Sequence, residues 1–444
     1  MDDQLQVFKA LSASLPALDE HQSFWWKVTG RHMAIMMHEA GYLVERQIEC
    51  LLFHRLTIVP SLGPRPTSTK PWFKSRVGSS AGDGTPIGYS WRWGVGSATP
   101  YIRNFVEPIG LLTGTPADPL NEVAMKEFLW KLSKVLPEAD LSLFWKFAPY
   151  IRPNLTDEET RQKFTNSAML MGLEMSPESN TFDIMGYLYP LVPAQISELL
   201  VNVMPKAMRA AYGADVCLDS LNAVRDFLAT DPNGIQLIPR GTTAIDCCKP
   251  QDARVKCYVV TRNTCFDHIA AIMTLGGRKS VPAEMMGQLR KLWYALRGVE
   301  PDFPTSAQLP PTEEANGGVA ASPYGASFYF DIQPGQPLPG VKAYFEVGKH
   351  AKSDMAAAEA LTNFLENHGR GRHTGAFFNV LRSLASVEEL ETRRGVQGFI
   401  SAAFKKGELD ITSYLNPQIY GRYDDITAEL EKSMTVRQRR SLFE

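Results

Sequence analysis

The chain contains no Cys-x-x-Cys pair, and its six cysteines (Cys50, Cys217, Cys247, Cys248, Cys257 and Cys265) show no dense disulfide spacing. That argues against a secreted disulfide scaffold and makes reduced thiols in a cytoplasmic protein the expectation. No apolar run reaches the length needed to span a bilayer. Met1-Asp2-Asp3-Gln4 is acidic and polar, unlike the start of a secretory leader. An excess of one charge is also lacking: the formal net charge is −2, so no global field favours nucleic acid. A local basic cavity is compatible with that balance.

What is present is material for a large core, with 444 residues of which 44% are hydrophobic. Length alone suggests two or three domains. Large barrels break that prior, and the pattern below reads as a single domain over 1–444.

The stretch Ala253-Arg254-Val255-Lys256-Cys257-Tyr258-Val259-Val260 reads as a strand, because β-branched and aromatic residues dominate it. Alternation puts Arg254, Lys256 and Tyr258 on one face and Val255, Cys257 and Val259 on the other. A solvated face is the plain reading of such a strand. Repetition argues for more, since Lys342-Ala343-Tyr344 and Tyr187-Leu188-Tyr189 alternate in the same way. Several strands with Tyr and Lys or Arg on one face can line one polar lumen, and those donors suit a dense oxyanion such as pyrophosphate.

Along the chain, a helical segment over about 1–56 leads into a Pro, Ser, Thr and Gly-rich loop from Pro60 to Pro71. Five hairpins follow. Their strands are expected at Thr85–Trp93 with Tyr101–Val106, Ala168–Glu174 with Phe182–Tyr189, and Gln236–Cys248 with Arg254–Val260. The last two pairs are Ser327–Ile332 with Val341–Val347 and Gly398–Phe404 with Leu409–Leu415. Helical patterns separate them, at about Asp118–Val135, Leu141–Tyr150, Ala194–Tyr212, Cys217–Thr230, Asn263–Leu275, Pro282–Arg297, Ser353–His368 and Gly375–Leu384. A last one covers about Asp424–Val436. Glu300–Ala321 reads as loop. Sequential hairpins favour an antiparallel sheet. Ten such strands form either an open sheet or a closed barrel. Polar faces on strand after strand require a wet interior, so the expected fold is α+β: ten antiparallel strands closed around a solvent-filled lumen, ringed by helices. A TIM barrel does not fit, because its strands are parallel and its lumen is packed.

A set of short motifs runs through this frame. They are Gly63-Pro64-Arg65-Pro66, Gly84-Thr85-Pro86-Ile87, Ser90-Trp91, and Arg103 with Glu107-Pro108-Ile109. Arg254-x-Lys256-x-Tyr258 and Ile411-Thr412-Ser413-Tyr414-Leu415 with Tyr420 complete it. Together, over nearly the whole chain, the sequence resembles the fungal aromatic prenyltransferases of the dimethylallyltryptophan synthase family. The resemblance implies the ABBA prenyltransferase barrel. It also implies transfer of a dimethylallyl group from dimethylallyl diphosphate to tryptophan, a tryptophan-derived cyclic dipeptide or another electron-rich aromatic, with no cofactor and no essential metal. No Asp-Asp-x-x-Asp motif for magnesium is present. Small-molecule substrates are then the partners, and a homodimer is left open.

By the same resemblance, the pyrophosphate cage comprises Arg103, Tyr187, Arg254, Lys256, Tyr258, Lys342, Tyr344 and Tyr414, with Lys256, Arg254 and Tyr187 central to catalysis. The acceptor site comprises Ile87, Gly88, Tyr189, Arg240, Phe399 and Tyr420. Three departures from the family pattern stand out. Met185 replaces a cage lysine, Phe399 replaces a tyrosine, and Gly88 replaces the glutamate that holds an indole N–H. The third strand also lacks the family's lysine base. Gly88 is expected to leave space, which points either to attack by the indole nitrogen or to a phenolic or polycyclic acceptor. Glu107, Glu174, water or pyrophosphate itself remain as proton acceptors. Tyr89, Trp91 and Trp93 read as a mixture of core and wall, Arg92 as solvated and His268 as structural. A non-catalytic ligand-binding barrel is the remaining alternative.

Overall fold

The computed structural model describes residues 3–78, 82–96, 98–152, 167–190, 198–310 and 324–433. Ten strands carry the architecture: β1 (Ile87–Gly94), β2 (Tyr101–Val106), β3 (Met169–Met175), β4 (Phe182–Leu188), β5 (Ile238–Asp246), β6 (Val255–Thr261), β7 (Ala326–Ile332), β8 (Gly340–Phe345), β9 (Gln397–Lys405) and β10 (Glu408–Leu415). Each pairs antiparallel with its neighbours in sequence, and β1 pairs with β10, which closes the barrel. The expected hairpins are all present, with ends shifted by a residue or two.

The wall of the barrel sorts its residues by alternation. On β6, Val255, Cys257 and Val259 point outward and are fully buried. They face a helical layer that includes Ser142–Ile151, Asp219–Thr230, Ala283–Arg297 and Thr374–Leu384. Aromatic contacts bind the two layers. Trp93 lies 4.9 Å from Phe377, and Trp293 lies 4.6 Å from Phe345. Each such side chain contributes about 1.5–3 kcal/mol by leaving water. Gly186 permits one close approach, since a Cβ there would sit 2.3 Å from the Phe144 ring. Trp91 and Trp93 belong to this dry layer.

The N-terminal segment is helical but broken, into Gln6–Ser14, Glu20–Trp25, Arg31–Ala40 and Val44–Phe53. Pro16 lies in one break; Gly41, at φ +83°, ends the third helix in the left-handed conformation. Two short helices were not read from the pattern. One of them, Val387–Thr392, starts with a reciprocal cap between Ser386 and Glu389. The expected start of the Ala194 helix, the end of the Asp424 helix and the second half of the Glu300–Ala321 loop lie outside the described residues.

Candidate active site

Each strand sends alternate residues into the lumen, and every one of the ten contributes at least one residue to a cavity of ≈ 500 Å³ at one end, among them Gly88, Phe105, Leu170, Tyr187, Thr242, Tyr258, Ser327, Tyr344, Phe399 and Tyr414. Five of these form a closed belt. Ring centroids are separated by 6.1 Å from Phe105 to Tyr187, 6.5 Å to Tyr258, 6.0 Å to Tyr344, 5.6 Å to Tyr414 and 5.7 Å back to Phe105. Tyr329 extends the belt deeper, 5.6 Å from Tyr258, and Phe399 extends it toward the mouth, 6.1 Å from Tyr344. Phe105 and Tyr329 were missed in sequence, although alternation from Arg103 and from Ser327 places both in the lumen.

Beyond the belt the lumen is ionic. Arg254 bonds Asp246 at 2.6 Å and Asp331 at 3.4 Å, and Lys256 bonds Asp246 at 2.5 Å. Arg103 pairs tightly with Glu174. Arg92 bonds Asp410 at 2.9 Å and approaches Glu174 at 3.5 Å. Lys342 reaches Thr412 at 3.5 Å. Burial alone would raise the Asp246 carboxyl, but Lys256 and Arg254 beside it hold it below its ordinary range. Burial works against ionisation of Tyr414 too, yet Lys342 and Arg103 pull its hydroxyl below the usual tyrosine value. That hydroxyl lies 3.4 Å from the Tyr344 oxygen.

The cavity mouth is made differently. A loop carrying Lys74, Ser75, Arg76, Val77 and Gly78 forms one wall. Glu107 anchors it, accepting from Ser75 Oγ at 2.8 Å and from the Arg76 backbone N–H at 2.7 Å. Opposite, a bulge between Pro239 and Thr243, with Gly241 at φ +77°, aims Arg240 and Thr242 into the cavity. No Asp or Glu is among the described residues lining this cavity.

The site residues named from sequence thus divide. Tyr187, Tyr258, Tyr344 and Tyr414 stand in the belt, while Arg103, Arg254, Lys256 and Lys342 lie beyond it. Gly88, Tyr189, Arg240 and Phe399 line the cavity. Ile87 and Tyr420 do not: Ile87 is next to Gly88 on β1 and so points to the outer core, and Tyr420 is buried outside the cavity wall. Several expectations need correction. Gly88 leaves no empty space, because Val77 Cγ1 lies 2.9 Å from where a Cβ would stand. Arg92 is ion-paired in the lumen rather than solvated. Glu107 is spent on the loop, and Glu174 on Arg103. Met185 receives a contact from Lys256 Nζ at 3.3 Å where the family pattern has a lysine. His268 is structural, held between Thr261 and Asn233.

A ten-stranded antiparallel barrel ringed by helices, with a tyrosine belt over a floor of paired cations and carboxylates, defines the prenyltransferase-barrel class. Comparison with known proteins agrees. A family model described as tryptophan dimethylallyltransferase matches residues 21–379. Proteins described as prenyltransferase nscD are 56% identical over 440 residues in Arthroderma otae, covering 99% of each chain, and 55% identical over 443 residues in Neosartorya fischeri, covering 100% of this chain and 96% of that one. Among solved structures, AnaPT from Neosartorya fischeri superposes with a TM-score of 0.74 at 21% identity, covering 93% of this chain and 97% of its own. NotF, solved in complex with brevianamide F and DMSPP, superposes with a TM-score of 0.74 at 20% identity, covering 92% and 98%. The chain belongs to the tryptophan dimethylallyltransferase family. It is a prenyltransferase, so the reading as a non-catalytic barrel falls away. No helix among the described residues is long and apolar enough to cross a membrane.

Proposed function

We propose that this prenyltransferase moves a dimethylallyl group from dimethylallyl diphosphate to a ring carbon of a hydroxylated aromatic acceptor. The observation that carries the acceptor class is the charge of the cavity, in which Lys74, Arg76 and Arg240 are present and no described carboxylate is. A carboxylate is the strongest acceptor for an indole N–H and the cavity lining offers only neutral oxygens, whereas an ionising phenol is favoured by nearby cations. This promotes the second of the two acceptors read from sequence.

In this reading the diphosphate binds beyond the belt, where Arg103, Arg254, Lys256 and Lys342 supply donors. Asp246 and Asp331 hold Arg254 and Lys256 in place until the diphosphate takes over as their counter-ion. The carbon–oxygen bond breaks and its electron pair leaves with the diphosphate, whose growing charge the preplaced cations stabilise. The allylic cation is left inside the belt, where tyrosine faces stabilise it and exclude water. A ring carbon forms the new bond with its π pair, and the ring proton passes to diphosphate or water as aromaticity returns. The reaction needs no divalent metal.

The family's description favours an indole acceptor as the second reading. With Gly88 in place of a carboxylate, the indole would then present its nitrogen to the cation. The deciding experiment incubates the enzyme and dimethylallyl diphosphate in excess EDTA with hydroxynaphthalenes, tryptophan and tryptophan-containing cyclic dipeptides, with products assigned by NMR. Carbon-prenylated phenols are expected. Turnover of indoles alone refutes the phenolic reading, and turnover only after Mg²⁺ is restored refutes metal independence.

A further inference from the structure

Arg76 is a charged group that the donor chemistry does not use. Its backbone N–H takes Glu107, and Glu107 is fully buried among Ser75, Arg76 and Asn121. Glu107 is therefore committed to main chain and hydroxyl. The guanidinium makes no ion pair among the described residues, and Arg76 Nε is shielded from solvent with no hydrogen-bond partner. Its Cζ lies 4.6 Å from the Tyr189 ring centroid, a cation–π contact at the cavity wall. Arg240 lines the same cavity as Tyr189, and both guanidiniums pull against the burial that raises the Tyr189 hydroxyl. Arg240 is partly satisfied, by Ser327 at 3.2 Å and Glu346 at 3.5 Å. Arg76 is not.

The neighbouring residue explains the placement. Val77 packs onto Gly88, 2.9 Å from its missing Cβ. The loop thus closes over the β1 position where the family pattern has a carboxylate and brings a cation to the mouth instead. A planar fork with open donors matches an oxygen anion or a pair of adjacent oxygens, and matches an N–H not at all.

We infer that Arg76 is a specificity-determining residue that binds an anionic oxygen of the aromatic acceptor. With a phenolic acceptor, a choice that rests on the function proposed above, the oxygen is a phenolate, and the bond holds the ring with its nucleophilic carbon toward the belt. An amino-acid carboxylate offers the same chemistry, so the test separates the two sources. Wild type, Arg76→Met and Arg76→Lys are compared on a hydroxynaphthalene and its methyl ether, and on tryptophan and tryptamine. Binding of dimethylallyl thiolodiphosphate by calorimetry and the Tm serve as controls for the donor site and folding.

The acceptor KM of Arg76→Met should rise by about tenfold or more, the size of one charge-assisted hydrogen bond. The rise should appear only with the ionisable partner of each pair that is turned over, and Arg76→Lys should recover part of it. Donor binding should not change. Equal KM changes on the ionisable and the blocked acceptor, or no change on either, overturn the role of Arg76. If only the indole pair is turned over, the phenolic reading fails on its own. The tryptophan and tryptamine comparison still decides Arg76.

Discussion

At the mouth of the lumen Lys74 and Arg76 make no ion pair among the described residues, and Arg240 meets Glu346 only at 3.5 Å. Beyond the tyrosine belt Arg92, Arg103, Arg254 and Lys256 each touch a carboxylate. The ten strands line both halves, and the loop carrying Lys74 and Arg76 is added at the mouth. The difference is what occupies each half at rest. The floor holds several cations close together, and internal carboxylates offset their repulsion and fix their geometry, which suits the diphosphate site proposed above. On the function proposed above, the mouth takes an acidic aromatic and keeps its donors open. The belt between them has ring faces for a carbocation.

The largest expected effect lies in the floor. Lys256→Ala removes a donor to the leaving group and should slow ionisation by about 2–4 kcal/mol, as for other lost oxyanion donors. Single-turnover rates at saturating acceptor measure it, with the Tm recorded because Asp246 loses a buried partner. Normal turnover at low donor concentration would mean that β6 does not face the diphosphate.

Gly88→Glu probes the mouth. It returns a carboxylate to β1 but forces Val77 aside, an overpacking cost of about 1–3 kcal/mol in stability, and it sets an acid beside Arg76. Phenol turnover should fall and any indole turnover should rise. Unchanged products and rates by NMR would show that position 88 does not orient the acceptor.

A third test separates the lumen from the dry layer outside it. Asn104, next to Arg103 on β2, faces His54 at 3.5 Å, and His54 bonds Thr29 at 2.8 Å. Burial lowers the imidazole of His54 from 6.5 to about 3, and that of His32 likewise. The unfolded chain takes up these protons below about 6.5 and the folded chain does not. Their contribution is therefore complete above about 6.5 and is lost as pH falls toward about 3, with a slope of about 1.4 kcal/mol per pH unit for each histidine. Denaturant midpoints between pH 7 and 5 should show it, and His54→Gln should flatten the slope. A variant with the parent's slope would remove His54 from the account.

The smallest effect is expected at the belt. Tyr414→Phe keeps the ring face and loses one hydroxyl, at about 0.5–1.5 kcal/mol. Tyr414→Leu loses the ring and should cost more in kcat. Equal losses would mean that the hydroxyl, not the π-face, is what the reaction uses.

These contrasts also mark how far the sequence could be read. The barrel was accessible because each hairpin carries its own turn and its own alternation, which are local signals. Lys256, Tyr258, Lys342 and Tyr344 fell in the lumen for the same reason. The carboxylate partners did not emerge. Asp331 lies opposite Lys256 only through the register of β6 with β7, and Asp410 meets Arg92 across the barrel closure, 318 residues away. Arg92 read as solvated because its partner was invisible. The loop over Gly88 was missed because its anchor, Glu107, acts across 31 residues on a backbone N–H, a contact that leaves no pattern in composition or period.

The central claim is that the two halves of the lumen receive different substrates. A crystal structure of the enzyme with dimethylallyl thiolodiphosphate and a hydroxynaphthalene tests it most directly. The account predicts diphosphate oxygens within hydrogen-bond distance of Arg103, Arg254, Lys256 and Lys342, and the aromatic oxygen at Arg76. Diphosphate seated at the mouth on Lys74, Arg76 and Arg240, with Asp246 still holding Lys256, would contradict it.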